Sequence, residues 1–197
     1  LPSTAKAAQI YLDNQAYEQA LPLYEQYLSL SPSSVEREEA LLGMLTCAEE
    51  LKDDERIIKT ASKIITEGAS VALIEKAHYL RGLAYMHQQT YDKALLDLQP
   101  LTQNVVTSQG AQAQYLVAEA YFQLGDIDEA EQQIISFTQQ KTQQQYWLAK
   151  ALILLSDIYR LRGDDFQAQQ YLLSLQNNYK QSDDILSIVA DKLAQIE

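Results

Sequence analysis

Apolar and small residues recur along the chain at helical spacing, and the pattern itself repeats. Three segments align without gaps: HYLRGLAYMHQQTYDKA from His78, QYLVAEAYFQLGDIDEA from Gln114 and LILLSDIYRLRGDDFQA from Leu152. Each carries a small residue (Gly82, Ala118, Ser156), a Tyr three positions on (Tyr85, Tyr121, Tyr159), and an Ala twelve positions after the small residue (Ala94, Ala130, Ala168). TAKAAQIYLDNQAYEQA fits the same frame with Ala8, Tyr11 and Ala20, and a weaker copy holds Leu45, Ala48 and Ile57. A small residue and a Tyr three apart share one helical face, and the small residue lets a neighbouring helix approach closely. Between the two helices of each copy lies a tight turn. Gly125-Asp126 and Gly163-Asp164 read as a left-handed stop followed by an N-cap, and Asp53 and Thr90 fall at the matching place. The pattern predicts helices over 3–14, 17–30, 36–51, 54–67, 71–88, 91–103, 109–124, 127–140, 143–162, 165–179 and 183–196.

The markers Ala20, Ile57, Ala94, Ala130 and Ala168 are 37, 37, 36 and 38 residues apart. This frame resembles the tetratricopeptide repeat, whose period is about 34 residues. The resemblance covers essentially the whole chain and is degenerate in the second copy. It implies an all-α fold, a right-handed α-α superhelix of five hairpins over about 3–34, 36–68, 71–106, 109–141 and 143–180. The whole of 1–197 is then one domain. A single hairpin cannot bury its apolar face alone, so neighbours must stack. In SDDILSIVADKLAQIE, residues Ile185, Ile188, Val189, Lys192, Leu193 and Ile196 lie at helical spacing, with Ser182 or Asp183 as cap; the helix over 183–196 reads as a C-terminal capping helix. Nothing equivalent precedes Ser3. The chain begins Leu1-Pro2-Ser3 with no Met or basic-apolar leader, so it reads as an excised or processed piece of a longer protein whose open end is covered by a missing segment or a second copy.

Pro22 and Pro100 fall inside second helices, where proline deletes a backbone donor and clashes with the carbonyl four residues back. Two outcomes are open: a tolerated kink, or an early end at Pro100 that frees LTQNVVTSQG as a long connection able to touch a partner.

Charge narrows the partners. A net charge of -12 repels phosphate backbones and anionic lipid, which disfavours nucleic acid and membrane surfaces. No apolar run approaches the ~18 residues of a membrane span. Cys47, the one cysteine, lies in the apolar-rich run MLTCAEEL and reads as a buried structural thiol. His78 and His87 have no cysteine companions at zinc-ligand spacing, and there is no phosphate-cradling loop or nucleophile elbow. The pairs Asp53-Asp54, Asp164-Asp165 and Asp183-Asp184 sit at helix starts, where the helix dipole accounts for them. No catalytic residue, metal site or cofactor is expected, and the chain does not read as an enzyme.

The resemblance implies instead a protein- or peptide-binding scaffold, since first helices line the concave groove of tetratricopeptide folds. Residues flanking the core stripe of those helices are the candidate partner-binding set: Tyr79, Leu83, Met86 and His87 in the third copy, Tyr115, Glu119 and Phe122 in the fourth, Asp157 and Arg160 in the fifth. Tyr11, Tyr85, Tyr121 and Tyr159 are expected in the core. Tyr79, Tyr115, Tyr146 and Trp147 either contact a partner or pack between adjacent first helices. The expected groove is apolar and aromatic at its centre and acidic at its rim. It lacks the basic residues of the carboxylate-clamp subfamily, whose first-copy places hold Ala5 and Gln9. The Tyr- and Gln-rich repeats are similar to bacterial cell-envelope members, which favours periplasm or envelope over cytoplasm. The alternative role is a spacer segment of a longer solenoid that self-associates through its uncapped N-terminal end.

Overall fold

The structure, a computed structural model, describes residues 2–30 and 32–196, and among them every regular element is helical. The order is α1 (Pro2–Asp13), α2 (Tyr17–Ser29), α3 (Ser34–Glu50), α4 (Asp54–Glu67), α5 (Val71–His87), α6 (Tyr91–Leu98), a 3-10 helix (Gln99–Asn104), α7 (Ser108–Leu124), α8 (Ile127–Gln139), α9 (Gln145–Leu161), α10 (Asp165–Asn178) and α11 (Ile185–Leu193). The fold is all-α, and the successive helices α1 and α2, α3 and α4, α7 and α8, and α9 and α10 pack on one another.

One backbone device closes all five hairpins. Gln15, Lys52, Gln89, Gly125 and Gly163 each adopt a left-handed conformation, with φ of 59, 53, 56, 85 and 78°. The amide that follows each one, in Ala16, Asp53, Thr90, Asp126 and Asp164, donates to the carbonyl of Tyr11, Ala48, Tyr85, Tyr121 and Tyr159 at 2.8–3.0 Å. This bond satisfies a carbonyl that the helix end would leave orphaned. The second copy, weak in sequence, thus has the same turn as the others. Helix starts are fixed by side chains: Ser33 and Glu36 form a reciprocal capping box, and Asp53, Thr107 and Asp164 accept from Arg56, Gly110 and Gln167. The Ser33 box starts α3 earlier than the predicted 36.

The chain divides into two compact units, Leu1–Asp97 and Leu98–Glu197. In the first, Ala8 and Ala20 and their second-copy counterparts Leu45 and Ile57 form the core with Tyr24, Leu41, Ala48, Ala61, Ile64, Leu80 and Ala84. Gly43 lies under the Tyr24 ring, so close that a Cβ there would fall 2.4 Å from Cζ. Cys47 is fully buried, and burial raises its thiol pKa to about 11, so it stays protonated and inert. Pro22 is accommodated inside α2.

Pro100 takes the other course. α6 ends at Leu98 and the chain continues as the 3-10 helix, not as an α-helix to 103. Nor is LTQNVVTSQG a free loop. In the second unit Val105 is buried, its carbonyl accepts from Thr142 Oγ1 at 2.7 Å, and the Val106 carbonyl accepts from Gln144 Nε2 at 3.0 Å. Gly110 permits this path, because a Cβ there would sit 2.0 Å from the Asn104 carbonyl oxygen.

The marker tyrosines are a correction. The small residues Ala8, Ala118 and Ser156 and the second-helix alanines are buried as expected, but Tyr11 is 42% exposed and Tyr85, Tyr121 and Tyr159 are only half-buried. Each sits next to its hairpin turn, where the phenol hydroxyl can reach polar groups. Tyr121 accepts from Gln99 Nε2 at 2.6 Å; Tyr159 donates to Glu131 Oε1 at 2.8 Å and stacks on Tyr171.

α11 packs on α9 and α10, as a cap should. Its residues Ile185, Val189 and Leu193 join Ala149, Ile153, Leu172, Leu175 and Tyr179 in one buried cluster. It is shorter than the predicted 183–196 because Asp183 stays outside the helix and accepts from the Ile185 amide at 3.1 Å.

Candidate binding site

In the second unit α7, α9 and α11 adjoin in that order. Between them is a cavity of about 200 Å³, lined by Tyr115, Glu119, Phe122 and Gln123 of α7, Lys150, Ile153, Leu154 and Asp157 of α9, and Ile188 and Lys192 of α11. Four candidates from the sequence, Tyr115, Glu119, Phe122 and Asp157, therefore line one cavity. Their spacing explains it: 115, 119 and 122 fall on one stripe of α7.

Tyr115 is a wall, not a projecting anchor. It is 8% exposed, stacks on Trp147 at 5.8 Å between centroids, and carries the Lys150 ammonium 5.6 Å above its ring. Trp147 in turn meets Tyr146 edge-on at 4.9 Å. The aromatics thus pack along and between first helices. Burial, then the neighbouring Glu119 carboxylate, pushes the Tyr115 hydroxyl well above the ordinary tyrosine range. Burial also raises the Glu119 carboxyl, against a hydrogen bond from Tyr115 and the field of Lys150. Phe122 is half-buried at the mouth.

Asp157 and Arg160 are not open groove residues. Lys192 Nζ lies 2.6 Å from Asp157 Oδ1. Arg160 lies outside the cavity lining and reaches the end of the chain, donating to Gln195 Oε1 at 3.2 Å. Both are engaged by the segment that the sequence marks only as an apolar cap. Lys150 and Lys192 were not among the candidates, although Lys192 stands one turn after Ile188, a spacing that puts the two on one face. The rim is consequently mixed in charge and not simply acidic.

The candidates on α5 belong to the first unit. Tyr79 and Leu83 are half-buried against its core, Met86 is half-buried, and His87 is exposed with Nδ1 3.1 Å from Asp54 Oδ1. Burial first, and Glu49 second, raises the Tyr79 hydroxyl. The same helix carries a feature the sequence does not mark. Asp97 on α6 is 2% exposed, and its carboxylate accepts from Arg81 Nε and Nη2 at 2.8 Å each and faces His78 Nδ1 at 2.7 Å. Arg81 Nη1 also donates to Ser62 Oγ at 2.9 Å. With its charge answered and its oxygens bonded, Asp97 ties α6 to α5. Among the described residues no group of three or more His, Cys, Asp or Glu is placed to hold a metal ion, and no helix is long and apolar enough to cross a membrane.

No curated protein matches the sequence. Among solved structures the chain is similar to the MamA RS-1 ArsTM double mutant, with TM-score 0.65 and 17% identity over 97% of each chain. It is also similar to a protein from Podosopora anserina described by its kinesin light chain nearly identical TPR-like repeats, with TM-score 0.56 and 17% identity over 98% of this chain and 96% of that one. At such identity the likeness is one of fold. Two models described as tetratricopeptide repeat match, one at residues 5–34 and 111–134 and the other at 145–182. The matched stretches fall in the first, fourth and fifth hairpins, each closed by the common hairpin turn.

Proposed function

We propose that this chain is a non-enzymatic binding module that receives a segment of a partner protein in the cavity between α7, α9 and α11. Tetratricopeptide repeats generally mediate protein–protein interaction, which makes a protein the partner class. The observation that carries the site is the cavity itself. Its apolar floor of Ile153, Leu154 and Ile188 lies beside Phe122 and Tyr115 and is bordered by charged groups. An apolar recess with a few polar groups at its edge suits one anchoring side chain of a peptide. Tyr79, Leu83, Met86 and His87 on α5 are proposed as the contact set of the first unit.

Selection of displayed random peptides against the intact chain tests this. Trp147, the single tryptophan, stacks on the cavity wall and serves as a fluorescence reporter. Phe122→Ser is the informative variant, because it empties the mouth without touching the Tyr115–Trp147 stack. Selected peptides should lose about tenfold or more in affinity for it, the range expected when one apolar anchor is lost. Peptides that bind the variant as well as the parent chain would sink the reading. A second reading, self-association, draws on α1, where Ile10 is 51% exposed beside exposed Tyr11. Light scattering decides it: a dimer dispersed by Ile10→Asp supports it, and a monomer at all concentrations removes it.

A further inference from the structure

The fourth and fifth hairpins hold an acid at the same place in the repeat frame. Glu119 on α7 and Asp157 on α9 are 38 residues apart, as are the markers Ala130 and Ala168. In the fifth hairpin that place is answered from within the chain. α11 brings Ile188 and, one turn later, Lys192 to the cavity, and the Lys192 ammonium is paired with Asp157 at 2.6 Å. The adjoining stripe of α11, Ile185, Val189 and Leu193, is buried with Ala149, Ile153, Leu172 and Leu175, and Ile188 packs against the same cluster. α11 is therefore an internal instance of a helix seated on a first helix of this unit. It is recognised through apolar burial and a cation on the repeat-frame acid.

Glu119 stands across the same cavity from α11. Its near neighbours are the Tyr115 hydroxyl and the Lys150 ammonium. Lys150 is placed over the Tyr115 ring, and Lys192 is committed to Asp157. Burial holds the Glu119 carboxyl above its ordinary range, so the cations present do not offset the loss of water around it. An arriving cation would do so, and the net charge of -12 favours the approach of a basic segment over an acidic one.

From this we infer, resting on the binding reading above, that the partner segment is a helix bearing an apolar residue and, four positions on, a lysine or arginine. Its apolar side chain fills the recess beside Phe122 and Ile188, and its cation pairs with Glu119 as Lys192 pairs with Asp157. The i, i+4 spacing puts both groups on one face of the segment, so a single helix meets both demands.

A helix-stapled peptide copying residues 185–196 carries the pattern without the acidic Asp183-Asp184 pair and is the probe, titrated into the intact chain with Trp147 fluorescence and calorimetry as readouts. Binding is expected, weakened about tenfold or more by Lys192→Glu in the peptide or by Glu119→Gln in the chain. Glu119→Lys in the chain should restore binding of the Lys192→Glu peptide, a charge reversal that a merely structural role for Glu119 would not produce. Equal binding of both peptides overturns the inference. So does binding lost with Asp157→Asn but kept with Glu119→Gln, which would mean the peptide displaces the chain's own α11. If the stapled peptide fails while displayed peptides still bind in a Phe122-dependent way, the helix-and-cation inference falls and the binding reading stands. If nothing binds in a Phe122-dependent way, the binding reading itself falls.

Discussion

At the scale of single residues the turns and close approaches govern behaviour. Gln15, Lys52 and Gln89 hold a left-handed backbone without being glycine, at a cost of about 1 kcal/mol each relative to glycine. Gln89→Gly should therefore stabilise the first unit, raising its melting temperature by about 2–4 °C in a calorimetric scan; the entropy of a more flexible unfolded chain trims the gain. An unchanged or lower melting temperature would refute the strain. Gly110 gives the opposite case. A methyl group there would meet a backbone oxygen at 2.0 Å, which no rotamer change can relieve. Gly110→Ala should cost about 2–3 kcal/mol or more in urea unfolding of the second unit. The importance of Gly110 was not legible in the sequence: it lies outside the repeat frame, and its need arises from a 3-10 segment that only the Pro100 break creates. The frame did disclose the small positions, Ala8, Ala118 and Ser156, because close helix approach is a periodic demand. It misassigned the tyrosines because periodicity shows which face a residue takes but not how far its tip reaches toward the turn.

Among elements, two attachments carry weight that neither helix propensity nor period shows. The first is α6 on α5 through Asp97. Removing a bonded, buried carboxylate strands Arg81 and His78, and losses of about 3 kcal/mol are typical of such broken networks. Asp97→Ala should thus release α6 early, seen as faster amide hydrogen exchange over 91–98 than in the rest of the first unit. Uniform protection after the substitution would contradict the attachment. The sequence hid this network because its members, Ser62, His78, Arg81 and Asp97, follow no common spacing. The second is α11. Its apolar stripe was readable, and so was its role as a cap. Its polar reach, Lys192 to Asp157 and Arg160 to Gln195, was not, since an ion pair between residues 35 positions apart leaves no local trace. Truncation after Ser182 should expose Leu172, Leu175, Ile153 and Tyr179 and cause aggregation in sedimentation; a monodisperse, equally stable product would show that α11 is dispensable.

For the whole molecule, a surplus of twelve negative charges makes pH dependence the broadest test, and its parts run in opposite directions. Hydrogen bonds from Ser33 hold the Glu36 carboxyl below its ordinary range, Arg37 does the same for Glu67, and Arg162 and Tyr159 for Glu131. A carboxyl whose folded pKa is depressed contributes stability above its unfolded pKa and loses it as pH falls through the folded value. These contributions are small where the groups are exposed. Glu119 is raised by burial, so its sign is reversed: its ionised form is penalised in the folded chain at neutral pH, and acidification removes the penalty. Global charge repulsion changes alike in a pair of single-charge variants, so comparing them isolates the local terms. Glu131→Gln should melt below the parent chain at pH 7, with the gap closing as pH falls through the carboxylate range. Glu119→Gln, which keeps a hydrogen-bond partner for Tyr115, should melt above the parent at pH 7, and its advantage should fade at higher pH than the Glu131→Gln gap closes, as pH falls through the raised folded value toward the unfolded one. Melting curves across pH 3–8 for both variants would test this. A Glu119→Gln chain less stable than the parent at pH 7 would mean that the carboxylate is already well compensated by Lys150, and the place for an incoming cation would be gone.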